Sequence, residues 1–358
     1  MKYLDLALQA IETMMRKYDA PALPPVGHFH YHQGVFLSGV YQNYLLYGDE
    51  RYYTYIKDWM DSVIDEKGNI LLYDHADLDD IMPGILLFPL YKKTGGEKYK
   101  NCLHNNIRQV EDIPVCDCGG FYHKVSTPHQ MWLDGLYMVC PFMAEYAACF
   151  DRPEYLEDAV REIKLMREKT RDSATKLWYH AYDESKTAEW CDKKTGRSSE
   201  FWGRSLGWVP IAILDVMEKL PEGSPYKDDL EEIVVELLNA LLTFQGKDGR
   251  WFQVVNKIDE PGNWPENSCS SLYAAAVARS VKAGLLSPEK LDAAKKAFDG
   301  IAASLRTENG DLQIGEVCIG TCVGDYEYYV NRPCSANDLH GVGAFLLMCA
   351  ALEDACSL

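Results

Sequence analysis

The sequence has few basic residues for its length and no extended run of them. Lysine and arginine total 36 against 54 aspartates and glutamates, which gives a formal net charge of −18. No run of cations is longer than two residues, as in Lys193-Lys194. Because nucleic-acid affinity depends mainly on clustered cations, we expect no nucleic-acid partner. A few local cations would have to bind any anionic ligand.

Long apolar runs and an export signal are also missing. Residues 1–6 lead into an amphipathic pattern rather than into an apolar stretch with a small-residue cleavage site. No segment approaches the roughly 18 consecutive apolar residues that predict a membrane-spanning helix. We therefore expect a soluble protein that has no membrane partner and stays in the cytoplasm.

The twelve cysteines lack the spacing of a structural zinc site. The only close pairs are Cys116-x-Cys118 and Cys318-x3-Cys322, and neither has the paired Cys-x2-Cys pattern of zinc sites. We interpret most of them as buried thiols that pack as small hydrophobic groups, and disulfides are the less favoured alternative. We expect no cofactor and no metal ion.

The chain does contain repeated amphipathic helices. Leu4, Leu8, Ile11 and Met15 recur at steps of four, three and four residues, which is typical of one helical face. Similar patterns continue to the C-terminus, separated by short joints in which glycine ends one helix and Ser, Asp or Pro begins the next. These joints are residues 48–52, 95–99, 151–155, 223–226 and 287–291.

Five such joints predict five helical hairpins. A sixth hairpin forms if the C-terminal pattern at 343–352 packs beside the N-terminal helix at 3–18. That closure predicts a ring of twelve helices in one domain, residues 1–358, because no linker interrupts the repeats. An open solenoid is the rival, although solenoids usually have polar caps and more uniform repeats. Residues 251–255 could form a short hairpin arm.

Polar and aromatic residues cluster where each hairpin's first helix is about to begin. In a ring of hairpins these points lie at one mouth of the central cavity, so we expect them to converge on one site. The segments are 27–34, 74–80, 123–134, 178–180, 201–208 and 337–341.

Three motifs in these regions resemble those of a known enzyme family. The runs at 130–138 (QMWLDGLYM), 201–209 (FWGRSLGWV) and 341–345 (GVGAF) are similar to those of the unsaturated rhamnogalacturonyl hydrolases, glycoside hydrolase family 105, which is related to the family 88 unsaturated glucuronyl hydrolases. The resemblance spans nearly the whole chain, and the first run is its most specific part. It implies an all-α fold, the (α/α)6 barrel, and an intracellular enzyme that removes a 4,5-unsaturated galacturonic acid from pectin fragments.

The resemblance also implies unusual glycoside chemistry. The substrate carries an enol ether, so protonation at C4 creates an oxocarbenium-like centre at C5 that water attacks. The hemiketal then opens and the second sugar leaves. Since the anomeric carbon is not attacked, the separation of two carboxylates does not predict retention or inversion.

By motif position, Asp134 corresponds to the general acid and base, and Asp79 to a second catalytic or substrate-binding carboxylate. The positive end of a helix should lower the pKa of Asp134, so we expect burial beside Trp132, itself a substrate contact, or a nearby carboxylate such as Asp79 to raise it again. The alternative for both aspartates, and for Asp80, is a helix cap.

Arg204 is the expected partner of the uronate, because a guanidinium can bind a carboxylate through two hydrogen bonds. Its alternative is an ion pair with Glu200 four residues earlier. Trp208 is expected to stack on a sugar, whereas for Trp202 stacking and core packing stay equally open.

Several other residues match substrate-binding positions of the family. His123 and His180 are expected near the uronate, and Tyr31 and His32 along the sugar site. The spacing His28-x-His30-x-His32 suggests a metal site, but three alternate residues of one strand cannot readily surround an ion. Weaker candidates for the site lining are His75, Lys124, Glu327 and His340.

Other functions stay open from the sequence. The same ring could act on unsaturated glucuronyl disaccharides, could be an N-acyl sugar epimerase-like isomerase that uses histidine pairs, or could be a non-catalytic scaffold with an apolar groove. The expected partner is a small oligosaccharide with a terminal unsaturated uronic acid, bound by a monomer or a homodimer.

Overall fold

The computed structural model describes residues 2–73 and 77–357, which fold mainly into α-helices. The helices are α1 (Lys2–Lys17), α2 (Tyr31–Tyr47), α3 (Glu50–Val63), α4 (Leu87–Thr94), α5 (Glu97–Glu111), α6 (Asp134–Phe150), α7 (Pro153–Thr170), α8 (Gly203–Met217), α9 (Lys227–Leu242), α10 (Asn267–Lys282), α11 (Leu291–Ser304), α12 (Tyr326–Val330) and α13 (Leu339–Cys356). Short 3-10 helices, Leu78–Asp80 and Met82–Leu86, precede α4. The short strands are β1 (Gln130–Trp132), β2 (Ala181–Asp183), β3 (Arg306–Glu308), β4 (Asp311–Gln313), β5 (Val317–Cys318) and β6 (Cys334–Ser335).

The helices form two concentric rings, as the sequence predicted. Helices α2, α4, α6, α8, α10 and α13 make the inner ring, in which α13 contacts both α10 and α2, and α8 contacts both α6 and α10. The 3-10 helix before α4 joins α2 to α6. The remaining long helices lie outside, and α1 packs on α13 to complete the sixth hairpin. The fold is therefore the expected all-α (α/α)6 barrel, and the open solenoid is wrong.

The predicted joints lie between inner and outer helices, and their local chemistry explains why. Gly48 ends α2 and Gly95 ends α4, each in the left-handed conformation with its N–H bonded to a carbonyl of the last turn. Such a C-cap favours glycine because a side chain is strained there. The Asp49 side chain then accepts the N–H of Arg51 and caps α3. Pro153 begins α7, where its missing N–H has no helical partner to lose.

Ring closure depends on close contact between α13 and α2. A Cβ added to Gly343 would lie 2.5 Å from the carbonyl atoms of Val35, and one added to Gly39 would lie 2.7 Å from Leu346 Cβ. Buried Asn43 donates through Nδ2 to the carbonyl of Gly39 at 2.9 Å and to the carbonyl of Leu346 at 3.0 Å. The glycines of the third motif therefore serve packing rather than chemistry.

Gly343→Ala is expected to destabilise the ring. The added methyl group meets backbone atoms, which cannot rotate away as a side chain can. The resulting overpacking should lower the free energy of unfolding by about 1–3 kcal/mol. Thermal or urea unfolding measures the change. Gly315→Ala is the matched control, because its Cβ would meet nothing within 4 Å and its backbone is not left-handed. Equal stability of the two variants would contradict this account of ring closure.

The loops at one mouth are joined to one another by backbone hydrogen bonds. Leu78 donates to the carbonyl of His123, and His123 donates to that of Gln130 in β1. β1 pairs with β2 in antiparallel register, Trp132 opposite Ala181. The predicted arm at 251–255 forms isolated bridges, such as Trp202 with Val254, instead of a regular strand. The mouth is thus a connected rim on a helical ring.

Helix α13 is the one helix in the described ranges that is long and apolar enough to cross a membrane by length and composition. However, 78% of its 18-residue window is buried inside the protein. Its hydropathy reflects its place in the inner ring, since a helix that is apolar on all sides is a core helix when other helices surround it.

Candidate active site

Asp134 and His180 meet because β1 and β2 pair. The N–H of Leu133 donates to the carbonyl of His180 at 2.9 Å, which places the first residue of α6 beside the residue before β2. His180 Nε2 then lies 3.0 Å from Asp134 Oδ2, and its Nδ1 lies 2.6 Å from the Tyr329 hydroxyl. His180 is fully buried. The carboxyl group is therefore oriented by an imidazole that is itself fixed by a tyrosine.

Asp134 is held as the anion in this structure. Burial raises the pKa of Asp134, but His180, then His123 and Arg204, lower it by more, so the pKa lies below its usual value. The expectation that burial or a second carboxylate brings the pKa up is therefore wrong for the protein without substrate. The helix-cap alternative is also not seen: Asp134 is the first residue of α6, and the preceding cap position has no side-chain bond.

Asp79 lies beside one lysine and two histidines. Its Oδ2 is 2.7 Å from Lys124 Nζ and 4.0 Å from His30 Nε2, while its Oδ1 is 3.6 Å from His123 Nε2. Burial opposes ionisation, but these neighbours outweigh it and hold the pKa of Asp79 well below its usual value. Because Lys124 already balances its charge, Asp79 is poorly suited to raise the pKa of Asp134. It lies within its short helix, where the cap position is Asp77.

His123 connects the two carboxylates. It is buried, and its ring stacks on Trp132 with centroids 4.4 Å apart. Burial lowers the pKa of His123, although the charges of Asp79 and Asp134 oppose that shift. Its Nε2 lies 3.6 Å from Asp79 Oδ1, and its Nδ1 has no hydrogen-bond partner among the described residues, so the ring interacts with both carboxylates through their charges.

Arg204 extends from the first turn of α8 to the loop after β5. Its Nη1 donates to the carbonyl of Cys318 at 2.6 Å and its Nη2 donates to the carbonyl of Ile319 at 2.8 Å. The guanidinium carbon lies 4.6 Å from the centroid of the Trp202 ring. Arginine has five N–H donors, so these two bonds leave three for a ligand. The alternative ion pair with Glu200 is wrong, since Glu200 pairs with Lys257 at 2.8 Å.

The two tryptophans pack inside the protein. Trp208 is 1% exposed and stacks on Tyr137, with centroids 4.9 Å apart and planes 9° from parallel. Trp202 is fully buried and stacks on Tyr329 at 5.7 Å. Both rings pack against other aromatic rings, as the packing alternative expects. Sugar stacking by Trp208 stays a prediction.

Tyr31 and His32 are the first two residues of α2, and Tyr31 lies close enough to Arg204, Asp79 and Asp134 for their charges to act on its hydroxyl group. His32 Nδ1 is 3.0 Å from His30 Nδ1, and its Nε2 is 3.9 Å from Asp338. The Tyr31 ring lies 4.1 Å from that of His32. Burial, with the charges of His340 and His30, lowers the pKa of His32 to about 3. His32 is thus a neutral imidazole at ordinary pH.

The alternate histidines do not gather around one point. Among the described residues, His32 instead groups with Asp338 and His340, whose ligand atoms all lie within 4.8 Å of one another. His340 Nε2 also contacts the carbonyl of Cys318, the acceptor of Arg204. The weaker candidates lie in different places. Lys124 forms an ion pair with Asp79, whereas Glu327 accepts a hydrogen bond from the exposed Asn331. His75 lies outside the described residues.

Tyr329 and Asp338 were not identified from the sequence. Asp338 belongs to the polar segment at 337–341, so its position in a mouth loop was a usable signal. Tyr329 belongs to α12, a short helix without a hairpin pattern. Nothing in the sequence relates it to His180, which is 149 residues away.

This fold and site define a glycoside hydrolase of the (α/α)6 class. The sequence profile of Glycosyl Hydrolase Family 88 matches residues 7–355, and the chain belongs to this family. The solved structure of a family 105 glycoside hydrolase from C. acetobutylicum is similar to this one. The two chains are 32% identical and superpose with a TM-score of 0.92, and the match covers 99% of this chain and 100% of that one. The resemblance to family 105 is therefore confirmed.

Two further relatives bear on the fold and the family. The unsaturated rhamnogalacturonyl hydrolase YesR of Bacillus subtilis is 26% identical over 296 residues, covering 81% of this chain and 79% of YesR. An unsaturated glucuronyl hydrolase from Bacillus sp. GL1 is 15% identical with a TM-score of 0.72, covering 97% of this chain and 95% of that one. At 15% identity, the comparison with the glucuronyl hydrolase shows a shared fold only.

Proposed function

We propose that the enzyme hydrates the C4=C5 double bond of a terminal unsaturated galacturonic acid and so releases it from a rhamnogalacturonan-derived disaccharide. The observation that carries the proposal is the hydrogen bond from His180 to Asp134 at the mouth of the ring, with Arg204 close enough to lower the pKa of Asp134. The name and function of the relative YesR support the choice of substrate class.

Asp134 would act twice on one double bond. Its protonated carboxyl donates a proton to C4, and the positive charge that develops is shared by C5 and the ring oxygen. Water adds to C5 and returns its proton to the Asp134 carboxylate, giving a hemiketal that opens and releases the second sugar. His180 would keep the carboxyl oriented throughout, because its other nitrogen is fixed by Tyr329.

The low pKa of free Asp134 gives the substrate a second role. The uronate carboxylate is attached to C5, next to the carbon that Asp134 protonates. Its negative charge would raise the pKa of Asp134 and would also compete for Arg204, one of the groups that lower that pKa. Substrate binding would therefore favour the protonated carboxyl that the first step requires.

This mechanism predicts different pH profiles for the two kinetic constants. The fall of kcat/KM at high pH reports Asp134 in the free enzyme, where the pKa is lowered, whereas the fall of kcat reports the complex. We expect the decline of kcat to lie at higher pH than that of kcat/KM. Initial rates at saturating and limiting substrate over a pH series measure both. A kcat decline at equal or lower pH would contradict the proposed role of the uronate.

The substrate assay tests the function directly. Unsaturated rhamnogalacturonan disaccharide should lose its conjugated-acid absorbance when the enzyme is added, and a ketone product should appear. Unsaturated glucuronyl disaccharides from glycosaminoglycans form the comparison set. Faster turnover of the glucuronyl set would replace the galacturonyl assignment, and isomerisation of a saturated N-acyl sugar without loss of an enol ether would overturn the hydration mechanism.

We also propose that the chain acts as a single domain, as a monomer or homodimer, in the cytoplasm. All twelve cysteines are free thiols, which suits a reducing compartment. The net charge of −18 would repel a long pectin chain more than a disaccharide with one carboxylate. This charge therefore favours short fragments as substrates.

A further inference from the structure

A tight turn outside the active site presents two thiols. The carbonyl of Cys116 accepts the N–H of Gly119, and the N–H of Cys116 donates to the carbonyl of Gly120, each at 2.8 Å. Gly119 has a φ of 91°, which a side chain would strain. This closed turn holds Cys116 and Cys118 on a fixed backbone rather than on a flexible loop.

A carboxylate from a distant part of the chain completes the group. Glu184 follows β2, and its two oxygens accept the N–H of Asp117 at 2.6 Å and of Cys118 at 3.0 Å. The two sulfurs and a Glu184 oxygen all lie within 4.8 Å of one another. The backbone of the Cys-x-Cys turn therefore positions the carboxylate beside both thiols.

We propose that Cys116, Cys118 and Glu184 bind one zinc-class divalent cation. Thiolate and carboxylate are both zinc ligands, and sulfurs bound tetrahedrally at about 2.3 Å stand about 3.8 Å apart, so the three ligand atoms need to move by only about 1 Å or less. The two thiols release their protons to solvent as two metal–sulfur bonds form. Water fills the fourth position, or Met131 Sδ does, which lies 3.8 Å from Cys118 Sγ.

The position of this site gives it a structural role. It joins the turn that leads to His123 with the end of β2, the strand that follows His180. The N–H of Glu184 also bonds to the carbonyl of His129 in the segment before β1. A bound cation would fix the strand pairing that aligns two of the active-site histidines. Cys118 and Glu184 are partly exposed, so an ion can enter from solvent.

Cobalt binding tests the proposal without reference to activity. The full-length protein is stripped of metal with a chelator under reducing conditions and titrated with Co²⁺. We expect one Co²⁺ per chain, a thiolate-to-cobalt band in the near ultraviolet, tetrahedral bands in the visible, and displacement by Zn²⁺. Cys116→Ser and Cys118→Ser should each lower the intensity of the thiolate band by at least about half, because one of two thiolate ligands is lost, and Glu184→Gln should weaken binding by at least about 10-fold.

Cys149→Ser and Cys334→Ser are the matched controls, since these thiols are free and lie in α6 and β6. Both should keep the wild-type spectrum and stoichiometry. Far-ultraviolet circular dichroism and residual activity report whether each variant is folded. Three results would overturn the proposal: no stoichiometric band in the wild type, a band of wild-type intensity in both Cys116→Ser and Cys118→Ser, or a disulfide between these two cysteines in protein purified under reducing conditions.

Discussion

Asp134→Asn is expected to lower kcat by at least about 10²-fold and by up to about 10⁴-fold, the range for loss of a positioned general acid and base. The amide has no proton to give to C4 and cannot take one from water. Its oxygen can still accept a bond from His180 Nε2, so the local geometry should survive. Loss of the conjugated-acid absorbance of the unsaturated disaccharide measures kcat, and KM should change far less.

Asp292→Asn provides the matched control for that substitution. Asp292 is also in the first turn of a helix, but it lies on the outer helix α11 and its side chain is 82% exposed. This variant should behave as the wild type. If Asp134→Asn retained more than about a tenth of wild-type kcat, Asp134 could not be the general acid and base of the reaction.

Arg204→Lys is expected to raise KM for the uronate substrate by about 10- to 100-fold, with a smaller fall in kcat. A lysine keeps the charge, but its single ammonium cannot bond the carbonyls of Cys318 and Ile319 as the planar fork does and also offer paired donors to a carboxylate. Loss of a charged hydrogen bond of about 1.5–3 kcal/mol gives a change of this size. Steady-state kinetics and a thermal melt together separate lost binding from lost stability.

Arg197→Lys is the matched control for Arg204. Arg197 also donates to two backbone carbonyls, those of Lys169 and Glu168, and lies against an aromatic ring, that of Tyr179. Its guanidinium is outside the site, so this variant should lose some stability with KM unchanged. An unchanged KM in Arg204→Lys as well would remove the assignment of Arg204 to the uronate.

The ring could be predicted from sequence because its signals are local. Glycine at Gly48 and Gly95, aspartate at Asp49 and proline at Pro153 each act within one helical turn, so their chemistry can be recognised without knowledge of distant contacts. The sequence predicted that the C-terminal helix packs beside α1, but it did not predict the close approach of α13 to α2. The need for glycine at Gly39 and Gly343 follows from interhelical distance, which no pattern in one helix contains.

The site could be predicted only where the family motif supplied it. Asp134 and His180 are 46 residues apart and meet through the β1–β2 pairing, three-residue strands too short to show an alternating pattern. Trp208 illustrates the same point. An aromatic residue in an apolar helix is compatible with a sugar platform or with core packing, and its stacking on Tyr137 could not be predicted from the sequence.

The protonation state of Asp134 was beyond sequence reasoning as well. The opposing effects of a helix end and of burial were both identified, but the outcome depends on three cationic or imidazole neighbours brought from other loops. Electrostatic contributions to a pKa depend strongly on position inside the protein, so they cannot be transferred from one site to another. Only the assembled mouth determines which effect prevails.

The joining of the first and last hairpins has a consequence for biosynthesis. Asn43 in α2 bonds to Leu346, 303 residues later in the chain, so the face of α2 that packs on α13 has no partner until α13 has been synthesised. Contacts this distant in sequence cost loop-closure entropy before they contribute stability. We expect the nascent chain to remain open, exposing apolar helix faces that chaperones recognise. Enzymatic activity should then appear only after α13 has left the ribosome.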